Sequence, residues 1–340
     1  MKAVALTRYL PIDHPEALLD LELPKPPAPA GHDLLVRIEA VSVNPVDYKV
    51  RAPKDKIEST PRVLGWDAAG VVEAVGEAVS LFKPGDRVYY AGDITRPGSN
   101  AEFQLVDERI VGHRPATLDA AQAAALPLTA ITAWEALFDR LGIDLDGRHA
   151  GKSLLIVGGA GGVGSIAIQL AKLAGLTVIA TASRAESRAW CLELGADKVV
   201  AHGDGLVAAV REAGLQQVDY ILCTSDTDGY FAALAELVAP QGGIVTIVET
   251  GKAHDLDPLK AKSAYFAWEF MFTRSMFQTA DMIEQHRLLE EVARLIDAGR
   301  LRTTLAGTLG PIDAAHLKRA HALLEGGRTI GKLVLAGFGG

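Results

Sequence analysis

Residues 154–165 read Leu-Leu-Ile-Val-Gly-Gly-Ala-Gly-Gly-Val-Gly-Ser, an apolar strand running straight into a glycine turn and then a helix. No other stretch limits the fold of this 340-residue chain so strongly. Gly159, Gly161 and Gly164 form the spacing G-x-G-x-x-G, in which glycines permit a tight turn, close approach of a pyrophosphate, and close packing of helix on strand. The free N–H groups and positive dipole end of the helix that follows favour an anion. Val163, Ile166, Ala167, Leu170, Ala171 and Ala174 recur at helical spacing, Gly175 ends the helix, and residues 177–181 supply a second strand. Strand, turn, helix and strand make the βαβ unit that a dinucleotide site requires.

The end of that second strand bears on which dinucleotide is bound. An NAD site places Asp or Glu there, roughly 20 residues past the glycines, to hold the ribose hydroxyls. Here the place falls at Ser183, followed by Arg184 and, one turn later, Arg188. A hydroxyl and guanidinium groups suit a 2′-phosphate, which a carboxylate would repel, so NADPH is the expected cofactor. The alternative is that the arginines simply solvate a helix start.

The rest of the chain divides by pattern. Before about residue 125, short alternating strands at 34–40, 70–76 and 86–90 are separated by Pro and Gly, and residues 24–29 (Pro-Lys-Pro-Pro-Ala-Pro) form a stiff connector. From Ser153 strands alternate with helices, with further strands at 218–222 and 243–248, which predicts a doubly wound parallel sheet in an α/β protein. A last strand at 332–335 is expected to return to the first domain. Net charge of −8 and a pI near 5.6 argue against a nucleic-acid partner. No window offers the roughly 18 uninterrupted apolar residues of a membrane span, so a cytoplasmic address and no membrane partner are expected. Cys191 and Cys223 lack metal-ligand spacing and read as two buried thiols.

Several segments in order then resemble one family across nearly the whole chain: 43–47 (Val-Asn-Pro-Val-Asp), 64–72 (Leu-Gly-Trp-Asp-Ala-Ala-Gly-Val-Val), 82–88 (Phe-Lys-Pro-Gly-Asp-Arg-Val), 126–130 (Leu-Pro-Leu-Thr-Ala), the glycine turn, and 327–332 (Gly-Arg-Thr-Ile-Gly-Lys). The chain resembles the medium-chain dehydrogenase/reductases of the zinc-free, quinone-oxidoreductase-like branch. The resemblance implies a GroES-like substrate domain over residues 1–125, a Rossmann NADP(H)-binding domain over 126–272, and a return to the substrate domain over 273–340. It also implies a cleft between the domains and a homodimer, for which the apolar strand at 265–268 is a plausible edge.

Zinc alcohol dehydrogenases of this family carry Cys where this chain has Asn44, His where it has Trp66, and a third ligand near Pro127 and Leu128. None of these can serve, and residues 93–98 lack the four Cys of a structural zinc site, so no metal is expected. Without a metal to form an alkoxide, alcohol oxidation gives way to reduction of a quinone or α,β-unsaturated carbonyl, whose acceptor carbon takes hydride while donors hold the enolate oxygen. Asn44 is the expected donor to that oxygen, or else only shapes a turn before Pro45. Tyr48 could orient substrate or deliver a proton, or merely pack. Trp66 and Asp67 are expected to fill the former metal pocket, Trp66 as a flat wall and Asp67 in a structural role. Cofactor contacts are expected from Thr129, from Gly159, Gly161, Gly162, Val163 and Gly164, from Ser183, Arg184 and Arg188, from Thr224 and Ser225, and from the backbone at Ile247, Val248 and Glu249. Residues 266–277 are rich in bulky apolar groups that could line a substrate pocket, an interface or a core, and the polar loop 93–100 could cap the cleft. Two other classes stay open: a zinc-type alcohol dehydrogenase, and a non-enzymatic NADPH-binding redox sensor or structural protein.

Overall fold

The computed structural model describes residues 1–339, which divide into two compact units. The first unit comprises Met1–Ile131 and the chain from Phe272 onward; the second is Thr132–Met271. The first crossing lies inside the helix Pro127–Trp134, so Thr129 belongs to the first unit, although the family resemblance begins the second domain at residue 126.

The first unit opens with β1 (Lys2–Tyr9), β2 (Leu19–Glu22), β3 (Asp33–Ser42), β4 (Lys54–Val63), β5 (Ala68–Val75), β6 (Arg87–Tyr90), β7 (Phe103–Asp107) and β8 (Val111–His113). Strands β2, β1 and β4 form a small antiparallel sheet. Strand β3 lies at the centre of the larger sheet: Leu34, Val36, Ile38 and Ala40 on one face are buried, and on the other face Leu35 and Val41 are buried while Arg37 is exposed. Between β3 and β4 the short helix Pro45–Arg51 starts at its N-cap Asn44, with proline in the first turn where no backbone N–H is needed.

The second unit holds β9 (Ser153–Val157), β10 (Thr177–Thr181), β11 (Lys198–Val200), β12 (Val218–Cys223), β13 (Val238–Thr246) and β14 (Tyr265–Trp268). They lie in the order β11-β10-β9-β12-β13-β14, with every pairing parallel. This doubly wound order reverses between β9 and β12, and ligands of such sheets lie outside the carboxyl ends at that switch point. Strand β9 is buried throughout, as a central parallel strand covered on both faces must be. The helix Gly162–Leu173 follows β9 and buries Ile166, Ala167, Leu170 and Ala171. Both cysteines are buried and unbridged.

The return segment adds β15 (Leu305–Thr308) and β16 (Lys332–Ala336) to the first unit. β16 pairs with β3 and completes a seven-stranded sheet whose main order is β15-β16-β3-β5-β6-β8, with β7 paired to β3 outside that order. Among the described residues no helix is long and apolar enough to cross a membrane.

Candidate active site

In the second unit the chain leaves β9 through Gly158, whose φ of 88° makes the tight turn. The turn is pinned to the neighbouring strand: Gly158 N–H donates to Thr181 Oγ1 at 2.9 Å, and Gly159 N–H to the Thr181 carbonyl at 3.1 Å. Sequence spacing assigned this turn to Gly159, one residue late, because glycines occupy 158, 159 and 161 in near succession. Gly164 serves close packing, since a Cβ there would stand 2.3 Å from the Gly158 carbonyl oxygen. Gly161 is different. Its added Cβ would meet nothing nearer than 3.6 Å, so packing does not demand glycine, and the bare backbone at the helix N-terminus leaves room for a phosphate group. Gly162 and Val163 begin the helix itself and are partly exposed.

At the end of β10, Ser183 is exposed and Arg184 caps the helix Ala185–Glu193. Arg188 sits elsewhere than the phosphate reading placed it. One of its terminal nitrogens donates to the Ala182 carbonyl at 3.3 Å and the other to the Val199 carbonyl at 2.7 Å, so it clasps the ends of β10 and β11. At the far side of the switch point Thr224 Oγ1 donates to the Val157 carbonyl at 2.8 Å, and Ser225 is exposed. The Val248 carbonyl accepts from Thr227 Oγ1 at 2.6 Å, while Ile247 is partly exposed and Glu249 exposed.

The first unit brings Asn44, Asp47, Asp67 and Lys332 into one buried cluster. Asn44 Nδ2 donates to the Trp66 carbonyl at 3.0 Å and to Asp67 Oδ2 at 2.8 Å, which uses both amide hydrogens. Its amide oxygen accepts from Lys332 Nζ. In this conformation Asn44 therefore has no hydrogen to offer a substrate oxygen. Lys332 Nζ also lies 2.9 Å from Asp67 Oδ2 and 3.0 Å from the Val43 carbonyl oxygen, which fills its three donor directions. Asp67 Oδ1 accepts the Leu128 N–H at 2.7 Å, tying the cluster to the start of the helix Pro127–Trp134. Thr129 on that helix is buried, and its hydroxyl donates back to the Leu126 carbonyl at 3.1 Å.

Burial dominates the ionisation of this cluster. It pushes the Asp47 carboxyl up to about 7 and raises Asp67 above the usual carboxylate range, while the Lys332 ammonium pulls both downward. Asp47 Oδ2 accepts the Asn44 N–H at 2.7 Å, whereas Oδ1 is buried without a hydrogen-bond partner. Trp66 is fully buried, and its ring packs edge-on against Phe272 at 6.2 Å, so its face is core packing. Tyr48, on the helix that Asn44 caps, is partly exposed.

The two loop segments singled out in the sequence also resolve. Asp93, Ser99 and Asn100 are buried, with Asp93 Oδ1 accepting from Thr95 Oγ1 at 2.7 Å, so much of the polar 93–100 loop is tied down. Along 266–277, Met271 and Phe272 are core residues, while Trp268, Phe270, Met276 and Phe277 are exposed.

A dinucleotide turn on a doubly wound sheet, joined in one chain to a β-rich unit, defines a nicotinamide oxidoreductase of two domains. The comparisons agree. Residues 30–116 match the alcohol dehydrogenase GroES-like domain, and residues 194–335 match the zinc-binding dehydrogenase family. A zinc-type alcohol dehydrogenase-like protein of Staphylococcus aureus is 48% identical over 310 residues, covering 91% of this chain and 92% of the relative. Among solved structures, a candidate zinc-dependent alcohol dehydrogenase of Rhizobium etli is 56% identical with a TM-score of 0.93, covering 100% of this chain and 98% of that one. The Escherichia coli quinone oxidoreductase complexed with NADPH is 25% identical with a TM-score of 0.83, covering 99% and 100%. The chain belongs to the medium-chain dehydrogenase/reductase superfamily, in its quinone-oxidoreductase-like branch.

The zinc in those family names finds no matching donor set among the described residues. Asn44 offers an amide already bonded on both sides, Trp66 offers an indole, and the buried ammonium of Lys332 stands against the carboxylate of Asp67. Zinc takes thiolate, imidazole or carboxylate ligands, and a lysine ammonium repels it. The glycine turn, by contrast, fits a dinucleotide, whose phosphates the open backbone at Gly161 and Gly162 would hold.

Proposed function

We propose that the protein is a metal-independent, NADPH-dependent reductase of quinones or α,β-unsaturated carbonyls. The observation that carries this reading is the Asn44–Asp67–Lys332 cluster, which places a protein cation against Asn44, the position where zinc relatives carry a cysteine ligand. NADPH, when bound, supplies the hydride. Ser183 and Arg184, with no acid at the end of β10, favour its 2′-phosphate, and the E. coli relative binds NADPH.

This chain's residues then divide the remaining work. Since both Asn44 hydrogens are engaged, we assign the hydrogen bond to the substrate oxygen, and its proton, to the phenol of Tyr48. Asn44, Asp67 and Lys332 hold the Val43–Asp47 turn and the start of the Thr129 helix in place around it. The unpaired edge of β14, with Tyr265 and Trp268 exposed, suits strand pairing with a second copy in a homodimer.

The test is consumption of NADPH and NADH against a panel of quinones, alkenals and enones. Turnover with NADPH preferred supports the reading. Binding without turnover on any acceptor would favour a cofactor-binding sensor instead.

A further inference from the structure

The parallel sheet of the second unit has matching halves on either side of its switch point, with β9, β10 and β11 in one and β12, β13 and β14 in the other. Each half of such a sheet takes one nucleotide. In the proposed function the segment leaving β10, with Ser183 and Arg184, serves the adenosine half, so its counterpart leaving β13 falls to the nicotinamide half. That counterpart, residues 247–256, has no regular structure between β13 and the short helix Asp257–Lys260. A loose segment there would have to be ordered by the ligand, which weakens binding.

The first turns of the helix Thr227–Leu237 hold it in place. Thr227 Oγ1 is buried 2.7 Å from Thr246 Oγ1 and donates to the Val248 carbonyl at 2.6 Å. One residue on, the Asp228 carboxylate grips the segment with both oxygens: Oδ2 accepts the Gly251 N–H at 2.8 Å, and Oδ1 lies 2.6 Å from His254 Nε2. An ionised carboxylate only accepts, so His254 Nε2 carries the hydrogen. The Gly251 N–H, and next His254, hold the Asp228 carboxyl below the usual carboxylate range, which keeps it ionised at neutral pH. The His254 ring also stacks on Phe231, one turn along the same helix, with centroids 4.5 Å apart and planes at 29°. Phe231 is itself buried, so the surface under His254 is fixed.

We propose that Asp228 and His254 are positioning residues for the nicotinamide half of the site: their hydrogen bond fixes the backbone from Ile247 to Gly251 on which the nicotinamide nucleotide rests. The assignment rests on the proposed nicotinamide-dependent function. Both side chains act through the backbone, since Asp228 is engaged by Gly251 and His254, and His254 by Asp228 and Phe231. The adenosine half has separate anchors. Thr181 takes the Gly158 and Gly159 N–H groups, and Arg188 clasps the Ala182 and Val199 carbonyls, with no bond shared with the pair. A segment fixed before binding spares the ligand the cost of ordering it, so the pair adds affinity only for a ligand that reaches residues 247–251.

The experiment titrates the full chain calorimetrically with NADPH and, separately, with 2′,5′-ADP, which carries the adenosine 2′-phosphate but no nicotinamide nucleotide. Wild type is expected to bind both. Asp228→Ala and His254→Ala are each expected to weaken NADPH roughly tenfold and 2′,5′-ADP by less than about twofold, the retained 2′,5′-ADP binding showing that the unit is folded. His254→Gln, whose amide N–H takes the place of the imidazole donor, is expected to recover most of the NADPH affinity. Equal weakening of both ligands overturns the proposal, because it marks a pair that only holds the unit together. Unchanged NADPH affinity in both alanine variants overturns it too, as does a His254→Gln variant no better than His254→Ala. Wild type that binds neither ligand overturns the nicotinamide-dependent function itself, whereas the other failures leave that function standing.

Discussion

Lys332 Nζ lies 2.9 Å from Asp67 Oδ2 within the first unit, and both side chains are almost fully withdrawn from solvent. The pair links the last strand, β16, to the segment entering β5 across 265 positions of sequence. Removing either partner strands a buried charge, which costs about 3–5 kcal/mol. Lys332→Met and Asp67→Asn are each expected to lower unfolding stability by that order, and the double variant by clearly less than their sum. Chemical denaturation of the three variants checks this, and additive losses would contradict it.

Two glycines of the turn should fail in different ways. Gly164→Ala forces a Cβ to 2.3 Å from a backbone oxygen, and is expected to cost about 1–3 kcal/mol of stability as well as dinucleotide binding. Gly161→Ala meets nothing nearer than 3.6 Å and should leave stability within about 0.5 kcal/mol while weakening dinucleotide affinity roughly tenfold or more. Thermal unfolding paired with a dinucleotide titration separates the two.

Cofactor choice should depend on Ser183 and Arg184, but not on Arg188. Ser183→Asp and Arg184→Ala are expected to lower the NADPH-to-NADH ratio of kcat/KM. Arg188→Ala loosens the ends of β10 and β11, so it should weaken both cofactors together and leave the ratio near wild type. A selective loss of NADPH in Arg188→Ala would restore that residue to the phosphate site.

Stability should decline on both sides of a mid-range of pH, from two buried groups of the first unit. Asp47, raised to about 7, stays protonated in the folded state while the unfolded chain releases the proton, so its contribution is lost as pH rises from about 4 through 7. His321 is fully buried, accepts from Arg51 Nε at 3.3 Å and is lowered to about 3 by burial and the nearby guanidinium. Its contribution is present above about 6.5 and disappears as pH falls towards 3. His321→Gln should flatten the acid side, read as the midpoint of denaturation against pH.

Much of the fold was legible because its signals are local. The β9 run, the glycine turn and the helix after it are contiguous, and their order alone implies the parallel sheet. What escaped the sequence depends on partners far away along the chain. Asn44 before Pro45 looks like a free amide until Lys332, 288 residues later, is folded against it. Arg188 looks like a phosphate ligand until β11 brings the Val199 carbonyl to it. Trp66 sits in a motif that suggests a pocket wall, yet Phe272 from the return segment covers it.

The most direct test is to remove metal from the purified protein with a chelator, measure its zinc content, and follow NADPH consumption with quinones and enones. Full turnover with no bound zinc, together with no alcohol oxidation, is the expected result. One zinc per chain, with chelator-sensitive oxidation of alcohols, would contradict the metal-free reductase and the role given to Lys332.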